Sequence, residues 1–310
     1  MSSTVERPLL GCLLAVTTAI LWGVLPIALK EALGAMDAYT ITFYRFAGAA
    51  LLLTLWLGPR RQLPNPLGAG LGIPLLLLLC ALGLAGNYGL YLQGLDHLEP
   101  KTAQVVIQLA PFLLLVAGVV LLKEGFSLRQ WLGAAMLVSG LLLFFNERLL
   151  ELVGNVGDYG VGVWLVVIAA LAWVVYALVQ KRLLSRFSSP QLMWLLYALG
   201  GLMFLPAASL PQLVGMNLLQ LLALLFCCLN TLVAYGCFAE SLNHWAASKV
   251  SAVLATAPLF TIVAVDLLVL WFPDHVQDVA MGWLAYVGAA LVVLGSVMAT
   301  VGRRRGGSGR

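Results

Sequence analysis

Polar side chains set inside long apolar runs are the residues of this chain with chemistry to offer, because each costs free energy unless it meets a partner or a ligand. Asn87, Gln108 and Asn230 place amides at positions that count to the middle of such runs, in company with Trp22, Trp173, Tyr176 and Thr256. Tyr88, Tyr91, Gln104, Tyr235 and Ser251 fall within about two helical turns of them. Amides can orient the polar end of a small molecule, and indole and phenol rings can cover its apolar body. An amide can equally bond a neighbouring helix, and a lone aromatic ring can be packing or an interface anchor. Both readings stay open for each residue alone; the group carries more weight than any member.

Charges are fewer and sharper. Arg45 lies eight residues into one apolar run and Asp266 about six from the end of another. At about 1.5 Å per residue both sit roughly 9–12 Å below the same surface, a depth that permits an ion pair between them. A structural bridge, a snorkelling Arg and a part in substrate or proton coupling are the alternatives. Glu240 and Glu124 stand near the ends of their runs, as proton acceptors if buried and as solvated charges if not. Lys30, Lys101 and Arg148 read as ordinary loop charges. Pro111 and Pro258 each remove a backbone donor in mid-run, which favours a hinge. Gly83, Gly86 and Gly89 offer small residues at every third position for a close neighbour.

Enzyme motifs are missing: there is no dinucleotide fingerprint, P-loop, zinc-binding H-E-x-x-H or nucleophile elbow. The five cysteines all fall in apolar runs without a C-x-x-C pair and read as packing residues. With three His, no metal site is expected, nor any cofactor.

The elements that must position these residues follow from composition. Of 310 residues, 62% are apolar and 10% charged, with a mean hydropathy of +1.00. Soluble domains carry about 45–50% apolar and about 25% charged residues, so most of this chain belongs in lipid. A helix needs roughly 20 apolar residues to cross. Ten candidate spans result: 8–29, 38–57, 71–94, 102–122 and 128–145, then 159–183, 191–210, 218–242, 246–271 and 279–302. Each is helical, because lipid offers a backbone N–H no partner and the alternation of barrel strands is absent. The first run exceeds the usual core of a cleaved leader and is kept as a span.

With the N-terminus inside, 13 basic residues fall in cytoplasmic segments, from Arg7 to the Arg303–Arg305 run and Arg310, against three outside. This positive-inside bias puts both termini in the cytoplasm. No basic stripe interleaved with aromatics suits nucleic acid. Residues 303–310 read as a basic disordered tail, and a monomer is the default assembly.

The two halves resemble each other. Tyr88-Gly89, Leu95 and His97 recur as Tyr235-Gly236, Leu242 and His244, and the same offset carries Val106, Ala110 and Pro111 onto Val253, Ala257 and Pro258. Trp22 and Lys30 match Trp173 and Lys181, and Gly133 and Gly140 match Gly288 and Gly295. Five spans per half is an odd number, so the second copy enters from the opposite side. The expected fold is all-α and integral to the membrane: ten transmembrane helices as two inverted five-helix repeats, residues 1–150 and 151–302. The first, third, fourth, sixth, eighth and ninth spans carry the polar groups and would enclose a cavity; the second, fifth, seventh and tenth would form the periphery.

Trp22-Gly23-x-x-Pro26, Arg45, Pro111 followed by Glu124, and Gly133 with Gly140 appear in this order over the spans. In them the chain resembles the drug/metabolite transporter superfamily, specifically its ten-helix EamA-type members. The resemblance implies a multi-pass protein of the bacterial inner membrane that exports amino acids or related metabolites from a site between the central helices. It implies a small-molecule substrate in a lipid bilayer. With no ATP site in the sequence, the expected energy source is a gradient of protons, through Asp266 or Glu240. The family usually has an acidic residue after the ninth span; here that segment reads Trp271-Phe272-Pro273-Asp274-His275, so its role is not carried over. A nucleotide-sugar or sugar-phosphate exchanger would want several central cations. An integral-membrane enzyme or a scaffold is the alternative from another class.

Overall fold

Every regular element among the described residues is helical. The computed structural model describes residues 8–65, 72–122, 127–146, 157–244, 250, 253–272 and 281–301. The first half comprises α1 (Pro8–Leu33), α2 (Ala38–Leu57), α3 (Gly72–His97), the short α4 (Pro100–Val106), α5 (Leu109–Leu122) and α6 (Leu128–Phe144). The second comprises α7 (Asp158–Leu183), α8 (Ser189–Phe204), α9 (Leu218–His244), α10 (Ala257–Trp271) and α11 (Trp283–Val301). Glu124, Ser251, Arg148, the 273–280 segment and the basic tail lie outside the described residues.

Six helices (α1, α2, α3, α7, α8 and α9) are long and apolar enough to cross a membrane, and α6, α10 and α11 are apolar but shorter. Their outward faces are Leu-rich. On α3, Leu75, Leu78, Leu79 and Leu82 are exposed, and on α9 so are Leu218, Leu222, Leu225 and Leu229. Such a surface is the reverse of a soluble helix and suits contact with acyl chains.

The fourth expected span, 102–122, is not continuous. The chain breaks at Ile107–Gln108, between α4 and α5. Pro111 supplies no N–H to the Ile107 carbonyl four residues earlier; that carbonyl instead accepts from Ala110 N at 2.9 Å, a tighter turn. The same device recurs before α10, where Ala255–Thr256 form a turn and Pro258 stands in the first turn of the new helix. Thr256 O accepts from Leu259 N at 2.9 Å. The prolines therefore start helices after a break rather than kink continuous ones.

Packing joins the two halves in matched sets. α3 lies along α7, and α9 lies along α1; α5 touches α7, and α10 touches α1; α3 touches α8, and α9 touches α2. α2 packs on α8, and α6 on α11. Exchanging each helix for its counterpart returns the same set. The α6–α11 seam shows why. A Cβ on Gly133 would stand 2.7 Å from Gly295 O, and one on Gly295 2.6 Å from Gly133 O; Gly140 and Gly288 face each other in the same way. No other residue type lets two helix backbones approach so closely. Gly83 does the same service on α3, where an added Cβ would come 2.8 Å from Tyr176 N.

A direct test follows from this seam. Gly295→Val should destabilise the protein by about 2 kcal/mol or more, as overpacking of a tight contact does. Gly236→Ala on α9, where an added Cβ meets nothing within 4 Å, should be neutral or slightly stabilising. Unfolding in detergent micelles, followed by circular dichroism, measures both.

Candidate functional site

Where α1, α3, α7 and α9 cross, they enclose a cavity of about 220 Å³. α1 contributes Trp22 and Leu25, and α3 contributes Asn87, Tyr88 and Tyr91. The break between α4 and α5 brings Gln104, Ile107 and Gln108 to the wall, and the break before α10 brings Leu254 and Ala255. Trp173 of α7 and Asn230, Tyr235 and Phe238 of α9 complete it, together with Arg45 of α2. The helix breaks thus lie at the cavity, where irregular backbone can be tolerated at membrane depth.

Trp22, Asn87, Tyr88, Tyr91, Gln108, Trp173, Asn230 and Tyr235 all line this space. Tyr176 and Thr256 do not. The Tyr176 ring is buried against α8, its hydroxyl directed at Met193 Sδ, 3.7 Å away. Thr256 turns its hydroxyl back onto its own chain, donating to Val253 O at 2.6 Å. Leu25, Ile107, Phe238, Leu254 and Ala255 were not marked by the sequence, because apolar lining looks like any other apolar residue.

One wall is aromatic. The Trp22 ring meets Tyr235 edge-on with centroids 5.3 Å apart and leans on Phe238 at 5.8 Å. The amides serve the scaffold first. Asn87 Nδ2 donates to Ala169 O of α7 at 2.9 Å, and Asn230 Nδ2 donates to Leu21 O of α1 at 2.8 Å. Asn230 Oδ1 is buried with no hydrogen-bond partner among the described residues. The Tyr88 hydroxyl, near Tyr235 and Thr231, completes no hydrogen bond of good geometry. Tyr91 donates to Gln104 Oε1 at 3.3 Å across the α3–α4 junction.

The charges differ from the sequence expectation. Arg45 is not paired with Asp266. Its Nε donates to Thr231 Oγ1 at 3.1 Å, and its guanidinium lies 4.4 Å from the centroid of the Tyr88 ring. α2 is therefore part of the wall and not peripheral. Asp266 instead accepts from Lys101 Nζ at 2.6 Å. Lys101 is no loop charge: Pro100 starts α4 at that point, and its side chain is 1% exposed. Lys30 also has a structural task, its Nζ donating to the carbonyls of Leu95, Asp96 and Leu98 at the end of α3. Glu240 is exposed at the end of α9 beside His244, away from the cavity.

The sequence model of the EamA-like transporter family matches this chain twice, over residues 9–146 and 160–301. The chain belongs to the EamA-like transporter family. Similar proteins include the inner membrane transporter YhbE of Escherichia coli, 43% identical over 95% of this chain and 92% of its own length. A transporter of Haemophilus influenzae is 38% identical over 96% of this chain and 97% of its own. A probable terminal-alkyne amino-acid exporter of Streptantibioticus cattleyicolor is 25% identical, with 94% of each chain covered. A solved crystal structure shares the fold at a TM-score of 0.62 and 20% identity, covering 95% of this chain and 98% of that one. This EamA-family protein is thus a multi-pass membrane transporter and not an enzyme, with a small-molecule substrate and a lipid environment.

Lys101 and Asp266 join α4 to α10, and their coupling is measurable. In a double-mutant cycle of Lys101→Met and Asp266→Asn, the pair should show a favourable interaction of about 1–3 kcal/mol, because removing either partner alone strands the other. The double variant should therefore unfold at a higher temperature than the sum of the two single effects predicts.

Proposed function

We propose that this transporter carries a small amphipathic metabolite, an amino acid or a close relative, out of the cell by alternating access around the central cavity. The cavity carries the reading: one space, walled by helices of both halves, sets amides and a single cation against aromatic faces. That combination recognises a solute with one polar end and one apolar body. The name of the Streptantibioticus relative, an amino-acid exporter, supports the same solute class. A nucleotide-sugar or sugar-phosphate exchanger fits less well. The space, about 220 Å³, falls below the roughly 300–1,000 Å³ of sites for drug-sized ligands, and Arg45 is the one cation in its described wall.

On this reading residues 1–150 and 151–302 are two inverted five-helix repeats with both termini in the cytoplasm, lodged in the bacterial inner membrane. The most extensive pairings between the halves support it, since each has its exchanged copy, as a two-fold repeat requires. So do the paired breaks at Pro111 and Pro258, which would serve as hinges. Two contacts across the halves tie the end taken as external: His97 Nδ1 to Asp158 Oδ1 at 2.7 Å, and Lys101 to Asp266. The matching positions at the other end read His244 with Arg7 and Ser248 with Val119, neither an oppositely charged pair. At that opposite end Gln191 Nε2 donates to Gln62 O at 2.8 Å, a neutral tie between the halves. A proton gradient is the proposed energy source. Asp266, 46% exposed, would exchange the proton when its pair with Lys101 across the halves opens; Glu240 pairs within its own helix, with His244, and is not preferred.

Counterflow in liposomes containing only this protein tests the carrier. A labelled solute drawn from the amino acids and their deaminated relatives should accumulate against unlabelled solute. Asn230→Ala and Trp173→Ala should each lower the rate about tenfold, the equivalent of one good contact. Trp131→Ala, on a side chain 63% exposed on α6, should change little; equal losses in all three would remove the central site.

Orientation has its own test. After replacement of the native cysteines, Gly157→Cys should react with an impermeant maleimide in intact cells. Ser185→Cys, at the other end of α7, should react only after permeabilisation. The reverse pattern would invert the proposed topology, and labelling of both from outside would deny that α7 spans.

A further inference from the structure

Arg45 is 4% exposed, yet its charge is only partly answered. Nε is taken by Thr231 Oγ1, and the Tyr88 ring covers one face of the guanidinium. Among the described residues the Nη groups donate no hydrogen bond and no carboxylate pairs with them. No acidic side chain appears among the described residues of the cavity wall. The nearest candidate by depth, Asp266, is held by Lys101 on α4. The fork of donors therefore faces a low-dielectric cavity with nothing of opposite charge beside it.

A second unmet group stands next to it. Asn230 precedes Thr231 on α9, and its Oδ1 is a buried acceptor without a donor, because its Nδ2 is committed to Leu21 O. The wall thus carries a cationic fork from α2 and a neutral acceptor from α9, along with the Trp22, Tyr235 and Phe238 rings.

We propose that the cavity is a carboxylate site: Arg45 receives the carboxylate of an amphipathic organic monoacid, and a hydroxyl or ammonium group on the adjacent carbon donates to Asn230 Oδ1. This rests on the carrier reading above and narrows its solute. The planar guanidinium matches a carboxylate through two parallel bonds, which a neutral amide or ester cannot reproduce. Net charge points the same way. A 2-hydroxy acid, a net monoanion, neutralises the wall. A zwitterionic amino acid leaves its net charge unchanged while still pairing its carboxylate with Arg45. A dianion would bring one uncompensated negative charge, and a net cation would add to the charge already there. The aromatic faces then cover the apolar remainder of the acid.

The test uses leucine, 2-hydroxyisocaproate and the primary amide of each, with the purified full-length protein in detergent. The amide of the hydroxy acid is uncharged, whereas leucinamide is a cation at neutral pH and is also measured at about pH 9, where its amine is largely deprotonated. Both acids should raise the unfolding temperature and bind at least about tenfold more tightly than their amides, the difference expected for losing a charge-assisted bond. Arg45→Gln should abolish the preference for acid over amide. Arg45→Lys, which keeps the charge and loses the fork, should retain the preference at reduced affinity, and it serves where the Gln variant fails to fold. Equal shifts by acids and amides, no shift by either acid, or an Arg45→Gln protein that still prefers acids would each overturn the carboxylate site. Counterflow separates this from failure of the carrier. Exchange that ignores the carboxylate leaves the carrier standing without this site, whereas no exchange with any amino acid or its deaminated relative removes the carrier itself.

Discussion

A polar side chain in hydrocarbon must find its partner on another helix, and that requirement shapes the whole centre of this protein. Helix carbonyls already engaged in the backbone ladder keep a second lone pair, and side chains of neighbouring helices use it. Asn87 reaches Ala169 O, Asn230 reaches Leu21 O and Thr261 reaches Gly23 O at 2.6 Å. Such bonds need short helix separations. Gly23, which would place a Cβ 2.8 Å from Ala257 O, and Gly83 on α3 provide them. Close crossing and buried polar bonding thus depend on each other, and the cavity is what the crossing helices fail to fill.

The amides show how one side chain can serve both scaffold and site. Before the fold is known, an amide at mid-depth either bonds a helix or binds a ligand. Asn230 divides the tasks between its two atoms: Nδ2 holds α1 against α9, and Oδ1 is left over. The first bond fixes where the second atom points, so a ligand would meet a pre-oriented acceptor at little extra entropic cost.

Depth along a span was legible in the sequence, and direction around the helix was not. Counting from the ends of the apolar runs brought Trp22, Asn87, Trp173 and Asn230 to one level, and they do line one cavity. Tyr176 lies at nearly the same level, three residues from Trp173, but the turn of the helix delivers it to Met193 of α8. Arg45 and Asp266 count to equal depth, yet Arg45 lines the cavity and Asp266 does not, each with another partner. The misreading of Lys101 has another cause. A Pro-preceded lysine between two apolar runs looks like a loop, and only the break at Ile107–Gln108 allows Pro100–Val106 to tuck in as a separate helix. Apolar runs conceal such breaks, because the proline that causes one is as apolar as its neighbours.

Where the halves correspond, backbone contacts have been kept and side-chain chemistry has diverged, for a reason that bears on transport. The glycines of α6 and α11 are matched because each seam is a backbone meeting a backbone, and neither side can change alone. A hydrogen bond across a crossing needs only one donor, from either helix. Asn87 donates from α3 to Ala169 of α7, whereas at the counterpart crossing Thr18 donates from α1 to Ala234 of α9 at 3.3 Å. The cavity inherits this freedom. The position matching Arg45 is Leu196, fully buried in the α2–α8 core, so the wall carries its cation on one side only. Two cations would bind a solute equally well in either of two orientations. A single cation distinguishes the two ends of a solute, which two matched cations would not. The backbone seams of the two halves are thus matched, while the charge of the cavity wall is not.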